Sequence, residues 1–449
     1  MKFLQEKKFY KQVYTMAWPA VLESFFINLA GLIDTMMVAG LGPAAVAATG
    51  LTNQPYFILL TPLIAVATAL SALVARRMGE GHRREANTNF LSALVLCAGI
   101  SLAITLITLG FADRILEMAG SNRETHDMAV TYFHIYAGGS FFVNFTTVIN
   151  AAQRGSGNTR IAFTTNLVSS LVNIIFNYLL IYGHLGFPRL GVMGAALATI
   201  IGQAVSFLMA TLSVTHRDSY IHLGYCLRRK IRPKWEAFRS LSFLGGPIMA
   251  ENLLMRVGFL ATALMAAGLG TEAFAVHQVN MNLLSMGFSL GLGMQTAAMT
   301  LAGKSMGAGK EKEAIIFGKA CRDMGYGLAV FLALAILALG PAFYHFQFAD
   351  DAIAEVGVHI SLYVIAIVFF QIQQLIYNGI LRSAGDVKFT LVASLVSVTL
   401  VRTLMTILLV RIFHLGLDGI WWAILIDQTC RFLFSFFRFR QGKWIYLKI

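Results

Sequence analysis

Long apolar runs recur along the whole chain, and they limit its fold more than any other feature. The protein has 449 residues, of which 57% are hydrophobic and 13% are charged, whereas soluble domains carry about 25% charged residues. A run of about twenty apolar residues is long enough to cross a bilayer as a helix. A transmembrane barrel would instead show weak ten-residue alternation. The sequence therefore predicts an all-α integral membrane protein.

Twelve apolar runs are long enough to be predicted as membrane-spanning helices. They cover residues 14–38, 50–75, 90–112, 127–151, 161–182, 191–213, 241–267, 274–302, 320–340, 357–380, 389–412 and 417–437.

Basic residues alternate between the loops and predict the orientation of the chain. Most of the 35 Lys and Arg residues lie at the termini and in every second loop. The intervening loops hold only Arg114, Arg123, Arg189 and Arg411. By the positive-inside rule, both termini are expected in the cytoplasm of a multi-pass protein of the cell inner (plasma) membrane. The net charge of +13 thus favours contact with anionic lipid, and no nucleic-acid partner is expected.

The second half of the chain repeats the first at an offset of 228 residues. Residues 19–86 align without a gap to residues 247–314, with roughly a quarter of the pairs identical, including Pro19/Pro247 and Glu23/Glu251. Six spans return a chain to the same side, so the copies run parallel, related by a pseudo-twofold axis along the membrane normal. We expect two six-helix lobes, residues 1–215 and 241–449, joined by a cytoplasmic connector at 216–240.

Two acids lie in the first predicted span, where each charge needs a physical reason. Glu23 and Asp34 are eleven residues apart and share one helix face, about 16 Å apart along the axis. The repeat partner of Asp34 is Thr262, so this carboxylate occurs in one copy only. The spans of the first half contain no Lys or Arg, which leaves Asp34 without an evident cationic partner there.

The fifth span carries a polar stripe that suits a partner for Asp34. Asn166, Asn173 and Asn177 have the spacing of one helix face, and Thr199 of the sixth span adds a hydroxyl. Amide and hydroxyl oxygens can join a carboxylate in binding a proton or a hard cation such as Na⁺. Hydrogen bonding between helices would explain the same stripe. Both interpretations remain open from the residues alone.

The charges in the second half compensate one another. Glu251, Arg256, Arg402 and Asp427 sum to zero, which predicts a buried ion-pair network; a coupling role for Glu251 is the alternative. Other side chains suit either a cavity wall or helix packing, since Met and aromatic residues adapt to varied apolar ligands. The candidates for a cavity wall are Glu23, Met37, Met281, Phe288, Gln371 and Tyr377.

The chain shows no signature of an enzyme. The motif HExxH is absent, and GxSxG occurs only at residues 287–291 and 303–307, inside and at the end of an apolar run and not at a strand-to-helix turn. The four cysteines are far apart, so neither a disulfide framework nor a structural metal site is expected. We predict no cofactor and no catalytic residues.

With these spans, the repeat and three motifs, the sequence resembles the bacterial type of the multidrug and toxic compound extrusion (MATE) family. The motifs are GLIDTMMVAGLG at residues 31–42, QRGSGNTR at 153–160 and LRSAGDVK at 381–388. The resemblance implies two lobes facing a central cavity that opens alternately to each side. It also implies a secondary active antiporter that exports amphipathic or cationic compounds in exchange for H⁺ or Na⁺, expected here as a monomer.

The resemblance also assigns roles to individual residues. The family's first-helix acid falls on Asp34, its fifth-helix polar pair on Asn173 and Asn177, and the seventh-helix Glu of sodium-coupled members on Glu251. Their tenth-helix Asp has no counterpart in this sequence. We therefore expect proton coupling at Asp34, with a Na⁺ site at Asp34, Asn173 and Asn177 as the alternative. A lipid-linked oligosaccharide flippase is the other transporter function that such a fold supports.

Overall fold

The protein folds almost entirely into helices. A computed structural model describes residues 2–216, 219–348 and 350–447. The helices are α1 (Lys2–Ala39), α2 (Pro43–Gly79), α3 (Arg83–Met118), α4 (His126–Gly138), α5 (Ser140–Gly155), α6 (Thr159–Tyr182), α7 (Val192–Ser213), α8 (Leu223–Arg228), α9 (Trp235–Ala267), α10 (Thr271–Gly307), α11 (Glu311–Gln347), α12 (Asp351–Ser383), α13 (Val387–Ser394), α14 (Thr403–Ile407) and α15 (Gly416–Gln441). Short 3₁₀ turns lie at His184–Gly186 and Lys443–Tyr446.

All twelve predicted spans fall on helices. Ten helical segments of the described chain are long and apolar enough to cross a bilayer. The other two predicted spans, 127–151 and 274–302, lie on α4–α5 and on α10. The first is divided into two shorter helices, and the second carries His277, Asn280 and Asn282 on a helix of otherwise spanning length. Both are therefore less apolar or shorter than their neighbours, as expected of helices that contact protein more than lipid.

The predicted fourth span breaks at Gly139, between α4 and α5. A Cβ atom built at Gly139 would lie 2.3 Å from the Cγ1 atom of Ile200 on α7. Only a glycine allows so close an approach, which is how small residues act in membrane helix packing. The break therefore occurs where the chain passes closest to α7.

The predicted eleventh span is a helix with two wider turns. Residues Leu395–Arg402 and Leu408–Ile412 form π-helical segments on either side of α14. Such segments are uncommon and often occur at functional positions, because they shift the direction of the side chains that follow. Arg402 is the last residue of the first π-helical segment.

The structure forms two compact units whose boundaries lie inside helices. One unit is Leu22–Gly246, and the other combines Met1–Val21 with Pro247–Ile449. The boundaries therefore lie within α1, two residues after Pro19, and within α9, directly before Pro247, and not in the connector. Val13 and Ala17 of α1 belong to the hydrophobic core of the second unit. Each repeat copy thus begins with a helix that contributes to both units.

We predict that Gly202→Ala destabilises the first unit. A Cβ atom at Gly202 of α7 would lie 2.6 Å from the carbonyl oxygen of Ser169 and 3.2 Å from the Cβ atom of Asn173, both on α6. Overpacking of this kind costs about 1–3 kcal/mol, so the midpoint of thermal unfolding in detergent should fall. Gly110→Ala on α3 is the control, because nothing lies within 4 Å of its added Cβ atom. Equal midpoints for the two variants would contradict the close packing of α6 on α7.

Candidate functional site

The unit Leu22–Gly246 contains a cavity of about 460 Å³ with a polar wall. Five of the predicted residues line it, namely Glu23, Asp34, Asn166, Asn173 and Thr199. Polar side chains that had not been singled out also face it, among them Tyr136, Asn150, Arg154, Gln203 and Ser206. A polar cavity among apolar helices concentrates the ionisable groups of this unit in one place, which makes it the leading candidate site.

Asp34 ends a chain of hydrogen bonds that passes through neutral side chains. The Nδ2 atom of Asn177 donates to Oδ1 of Asp34 at 2.5 Å and to Oδ1 of Asn173 at 3.3 Å. Asn173 in turn donates to Oγ1 of Thr199 at 3.1 Å. Asn177 is fully buried, whereas Asp34 keeps partial exposure to the cavity. The structure thus brings together the four residues that the sequence predicted as one site.

Glu23 lies in the same cavity but has a cationic partner. The guanidinium of Arg154 donates to Oε1 of Glu23 at 2.9 Å, and Asn166 donates to the same oxygen at 2.7 Å. Glu23 is 6% exposed. Two carboxylates of one helix therefore share one cavity in different electrostatic environments: Glu23 is neutralised by Arg154, and Asp34 accepts a hydrogen bond from the neutral amide of Asn177.

The register of α1 against α6 explains this pattern. Glu23 and Asp34 are eleven residues apart on α1, and their partners Asn166 and Asn177 are eleven residues apart on α6. Equal spacing on two helices aligns both pairs only when the helices run parallel without slippage, since each residue advances the helix by about 1.5 Å. One polar stripe of α6 therefore serves both carboxylates of α1.

The oxygens around Asp34 suit a small cation. Asn177 Oδ1 is buried and has no hydrogen-bond donor in the described part of the chain. It belongs to the residue that donates to Asp34, and that residue also donates to Asn173, which donates to Thr199. Carboxylate, amide and hydroxyl oxygens are ligands for hard cations, and a proton needs the carboxylate alone. The arrangement is chemically competent for either ion.

Glu251 forms the repeat equivalent of the Glu23 pair. Arg382 donates to Oε2 of Glu251 at 2.8 Å, and Ser394 donates to Oε1 at 2.8 Å. Adding 228 to Glu23, Arg154 and Asn166 gives these same three positions. Thr390 donates a further bond at 3.2 Å. The repeat therefore retains a glutamate–arginine pair in each unit. The arginines of these pairs belong to the motifs at 153–160 and 381–388.

The ion pairs of the second unit include two arginines beyond the four residues grouped from the sequence. Glu251 pairs with Arg382, whereas Asp427 accepts hydrogen bonds from Arg402 at 2.6 Å and from Arg431 at 3.2 Å. The sequence-based grouping omitted Arg382, which follows the tenth predicted span, and Arg431, which lies near the end of the twelfth. Arg256 is half-buried on α9. Arg402 and Asp427, two members of the predicted group, form a buried ion pair.

Four of the six residues expected to line a cavity do so, in two different cavities. Met281, Phe288 and Gln371 line a smaller cavity in the second unit, and Glu23 lines the cavity of the first. Met37 packs in an apolar cluster, where its carbonyl accepts from the Tyr182 hydroxyl. Tyr377 is 1% exposed and packs against Phe432, Phe436 and Phe439. Among the described residues that line either cavity, neither Met37 nor Tyr377 appears, because both serve apolar packing.

A match to a protein-family model assigns the chain to a family. The model named MatE matches residues 19–179 and 247–408, so it occurs twice, with starts 228 residues apart, and covers most of the chain. The chain belongs to the MatE family. This confirms the resemblance that the motifs indicated, and it identifies the protein as a MATE family transporter.

Two relatives agree with this membership over nearly the whole length of the chain. The chain is 25% identical over 436 residues to "Probable multidrug resistance protein NorM" of Thermotoga maritima, covering 97% of this chain and 93% of that protein. It is 27% identical over 414 residues to the protein of the same name in Rhizobium meliloti, covering 90% and 88%.

Two solved structures share the fold. One is described as the outward-facing conformation of a multidrug resistance MATE family transporter of the MOP superfamily, with a TM-score of 0.89, 22% identity and 97% of both chains covered. The other is the crystal structure of MATE in the bent conformation, with a TM-score of 0.85, 22% identity and 96% of both chains covered. These likenesses confirm the predicted fold class of twelve helices in a 6+6 arrangement.

We predict that removing one partner of the buried glutamate–arginine pairs destabilises the protein. Arg382→Gln leaves Glu251, which is 2% exposed, without its cation, and breaking such a pair costs about 3–5 kcal/mol. Arg154→Gln should cost less, since its side chain is 20% exposed in its pair with Glu23. Thermal unfolding in detergent measures both effects.

The double variant Glu251→Gln with Arg382→Gln provides the control. Removing both charges should recover much of the loss, because no unpaired buried charge remains. If the double variant loses as much stability as Glu251→Gln and Arg382→Gln lose together, the ion pair does not supply the stability of this region.

Proposed function

We propose that this MATE family transporter is an antiporter that exports amphipathic organic compounds in exchange for a cation bound at Asp34. H⁺ is the expected ion and Na⁺ the alternative. The names of its relatives refer to multidrug resistance, which supports efflux of foreign compounds as the direction and role. Whether the ion is H⁺ or Na⁺, we propose the same coupling site in the unit Leu22–Gly246.

One observation carries the proposal: two carboxylates in one cavity differ in how their charge is compensated. Glu23 has Arg154 as a salt-bridge partner. Asp34 accepts a hydrogen bond from Asn177 and has no Lys or Arg within salt-bridge distance in the described chain. Burying a negative charge without a positive partner is unfavourable in a low-dielectric environment. Asp34 therefore gains most from binding a cation, whereas Glu23 is already neutralised.

Cation binding at Asp34 changes the hydrogen bonds of α6. The amide of Asn177 donates to the charged carboxylate and to Asn173, and a hydrogen bond to a charged acceptor is about twice as strong as one between neutral groups. Protonation weakens the hold of Asn177 on Asp34, and Na⁺ would compete with the amide for the same oxygen. Either ion loosens α1 from α6 at this position.

The first helix offers a place for the resulting movement. Pro19 lies within α1, directly before the boundary between the units, and a proline inside a helix removes one backbone hydrogen bond and favours bending. We propose that α1 bends near Pro19 when Asp34 is neutralised and that substrate and cation favour different states. Exchange then requires a coupling free energy of about 1–3 kcal/mol between the two ligands.

The proposed orientation follows from the basic loops. Both termini and the connector face the cytoplasm of the plasma membrane, because the segments rich in Lys and Arg lie there. Glu23 is then nearer the cytoplasm and Asp34 nearer the outer face along α1. A cation that enters from outside reaches Asp34 before it reaches the Glu23–Arg154 pair. We propose that the transporter works as a monomer.

We predict that Asp34→Asn abolishes export driven by an ion gradient. The amide keeps the size of the side chain but cannot exchange a cation, so substrate binding should persist while uphill transport is lost. The measurement is efflux of a fluorescent amphipathic cation from proteoliposomes, with a pH gradient and a sodium gradient applied separately. The gradient that drives efflux by the unmodified protein, and that no longer drives it in Asp34→Asn, identifies the coupling ion.

Asp113→Asn is the matched control, because Asp113 is an exposed acid of α3 that pairs with His126 outside the cavity. It should transport like the unmodified protein. Gradient-driven transport by Asp34→Asn at the normal rate would refute the coupling role of Asp34.

A further inference from the structure

The second unit contains a small cavity whose wall combines apolar side chains with two arginines. Its volume is about 140 Å³. Met255, Phe259, Met281 and Phe288 supply apolar and aromatic surface. Arg402 and Arg431 also line it, together with Gln371, Gln374 and Gln428. The wall is thus opposite in charge to that of the first cavity, where Glu23 and Asp34 lie.

The charges around this cavity do not cancel. Arg402 and Arg431 both donate to Oδ2 of Asp427, so one carboxylate faces two guanidinium groups. Both arginines are nearly inaccessible to solvent, at 2% and 5% exposure. None of the described residues that line the cavity is acidic. A buried excess positive charge is costly unless an anion compensates for it.

Hydrogen-bond donors at this cavity also lack acceptors. In the described chain, the buried Nε atom of Arg431 and the Nε2 atom of Gln428 have no hydrogen-bond partner. The Nη1 atom of Arg431 contacts only the thioether sulfur of Met255, at 3.6 Å, and sulfur is a weak acceptor. Buried donors are nearly always satisfied in native proteins. Two acceptor oxygens here, Oδ1 of Asp427 and Oε1 of Gln371, also have no donor in the described chain. The free donor of Arg431 lies on a cation, and its hydrogen bond is strongest with an anionic acceptor.

The position of Arg402 is built into the backbone. Arg402 ends the π-helical segment Leu395–Arg402, and its guanidinium lies 4.9 Å from the centre of the Phe259 ring while it donates twice to Asp427. The arginine is therefore held by an ion pair on one side and by an aromatic face on the other. Arg431 donates through Nη2 to Asp427 and to Gln428, whereas its buried Nε atom keeps free donor capacity in the described chain.

The size of the cavity limits what can enter it. A dry cavity of roughly 150 Å³ lined by apolar side chains accommodates one benzene molecule. The space here therefore fits one ring or a short chain with its acidic group, and not a whole drug-sized molecule, which needs about 300 Å³ or more. The cavity suits the acidic end of a larger amphipathic molecule.

We propose that this cavity binds the anionic group of the transported compound, a carboxylate or a comparable acid attached to an aromatic or apolar body. Arg431 and Gln428 donate to the acid, and Phe259, Phe288 and the methionines contact the attached ring. The inference rests on the proposed export function and defines its substrate class: amphipathic acids and zwitterions are preferred over compounds that carry only a positive charge.

A pair of dyes that differ in one group tests the proposal. A xanthene dye with a free carboxylic acid and the methyl ester of the same dye are titrated against the purified full chain in nanodiscs of uncharged lipid, with fluorescence anisotropy as the readout. The unmodified protein should bind the acid about tenfold or more tightly than the ester, since hydrogen bonds to charged groups contribute about 1.5–3 kcal/mol. Nanodiscs that contain anionic lipid form a second arm, where weaker binding of the acid would identify a lipid headgroup as a competitor for the same site.

Two variants remove the excess charge without breaking the Arg402–Asp427 pair. Arg431→Gln removes one cation, and Gln428→Glu adds an internal anion beside Arg431. Both should lose the preference for the acid and bind the ester as before. Arg438→Gln is the control, because Arg438 lies on the same helix but pairs with Asp386 outside the cavity.

The outcomes separate this proposal from the proposed function. Equal affinity for acid and ester in the unmodified protein, or a preference retained in both variants, would overturn the anion site. A preference for the acid that depends on Arg431 supports the anion site, whether or not the protein shows gradient-driven efflux. The absence of gradient-driven efflux would count against the antiport alone.

Discussion

The cost of placing a carboxylate among membrane-spanning helices determines how this transporter is organised. Such a charge is tolerated only where a partner compensates for it, and the buried acids Glu23, Glu251 and Asp427 have one or more arginines as partners. Asp34 has the neutral amide of Asn177 instead. The helices are therefore assembled around arginine pairs at three of these acids and around an amide at the fourth. The chemistry of the first unit follows from that single difference.

The two units share one type of ion pair, but their cavities differ in the sign of their charge. Each retains a glutamate–arginine pair at the equivalent repeat position, Glu23 with Arg154 and Glu251 with Arg382. Away from these pairs the repeat has diverged: the cavity of one unit has an acid in excess, and that of the other has an arginine in excess. A duplicated scaffold has thus kept its structural ion pairs while its cavities acquired opposite charge.

Much of the fold could be predicted from the sequence, because apolar length and the 228-residue repeat report directly on helices and symmetry. The grouping of Asp34, Asn173, Asn177 and Thr199 was also predictable, since helical spacing places them on facing stripes. The partners of Glu23 and Glu251 were missed because Arg154 and Arg382 follow apolar runs and look like loop residues, whereas α5 and α12 extend past them. Two signals were available: the 131-residue separation shared by both pairs, and the four-residue spacing of Asp427 and Arg431. Packing such as that at Gly139 or Tyr377 depends on contacts distant in sequence, and spacing alone does not reveal it.

The division of α1 and α9 between the units has a consequence for how the protein is made. Val13 and Ala17 are synthesised long before the second half of the chain, yet they belong to a core that residues 247–449 complete. Domains usually fold in the order of their synthesis. Val13 and Ala17 can reach their packing partners only after the helices of the second half have been inserted, so this core is completed late.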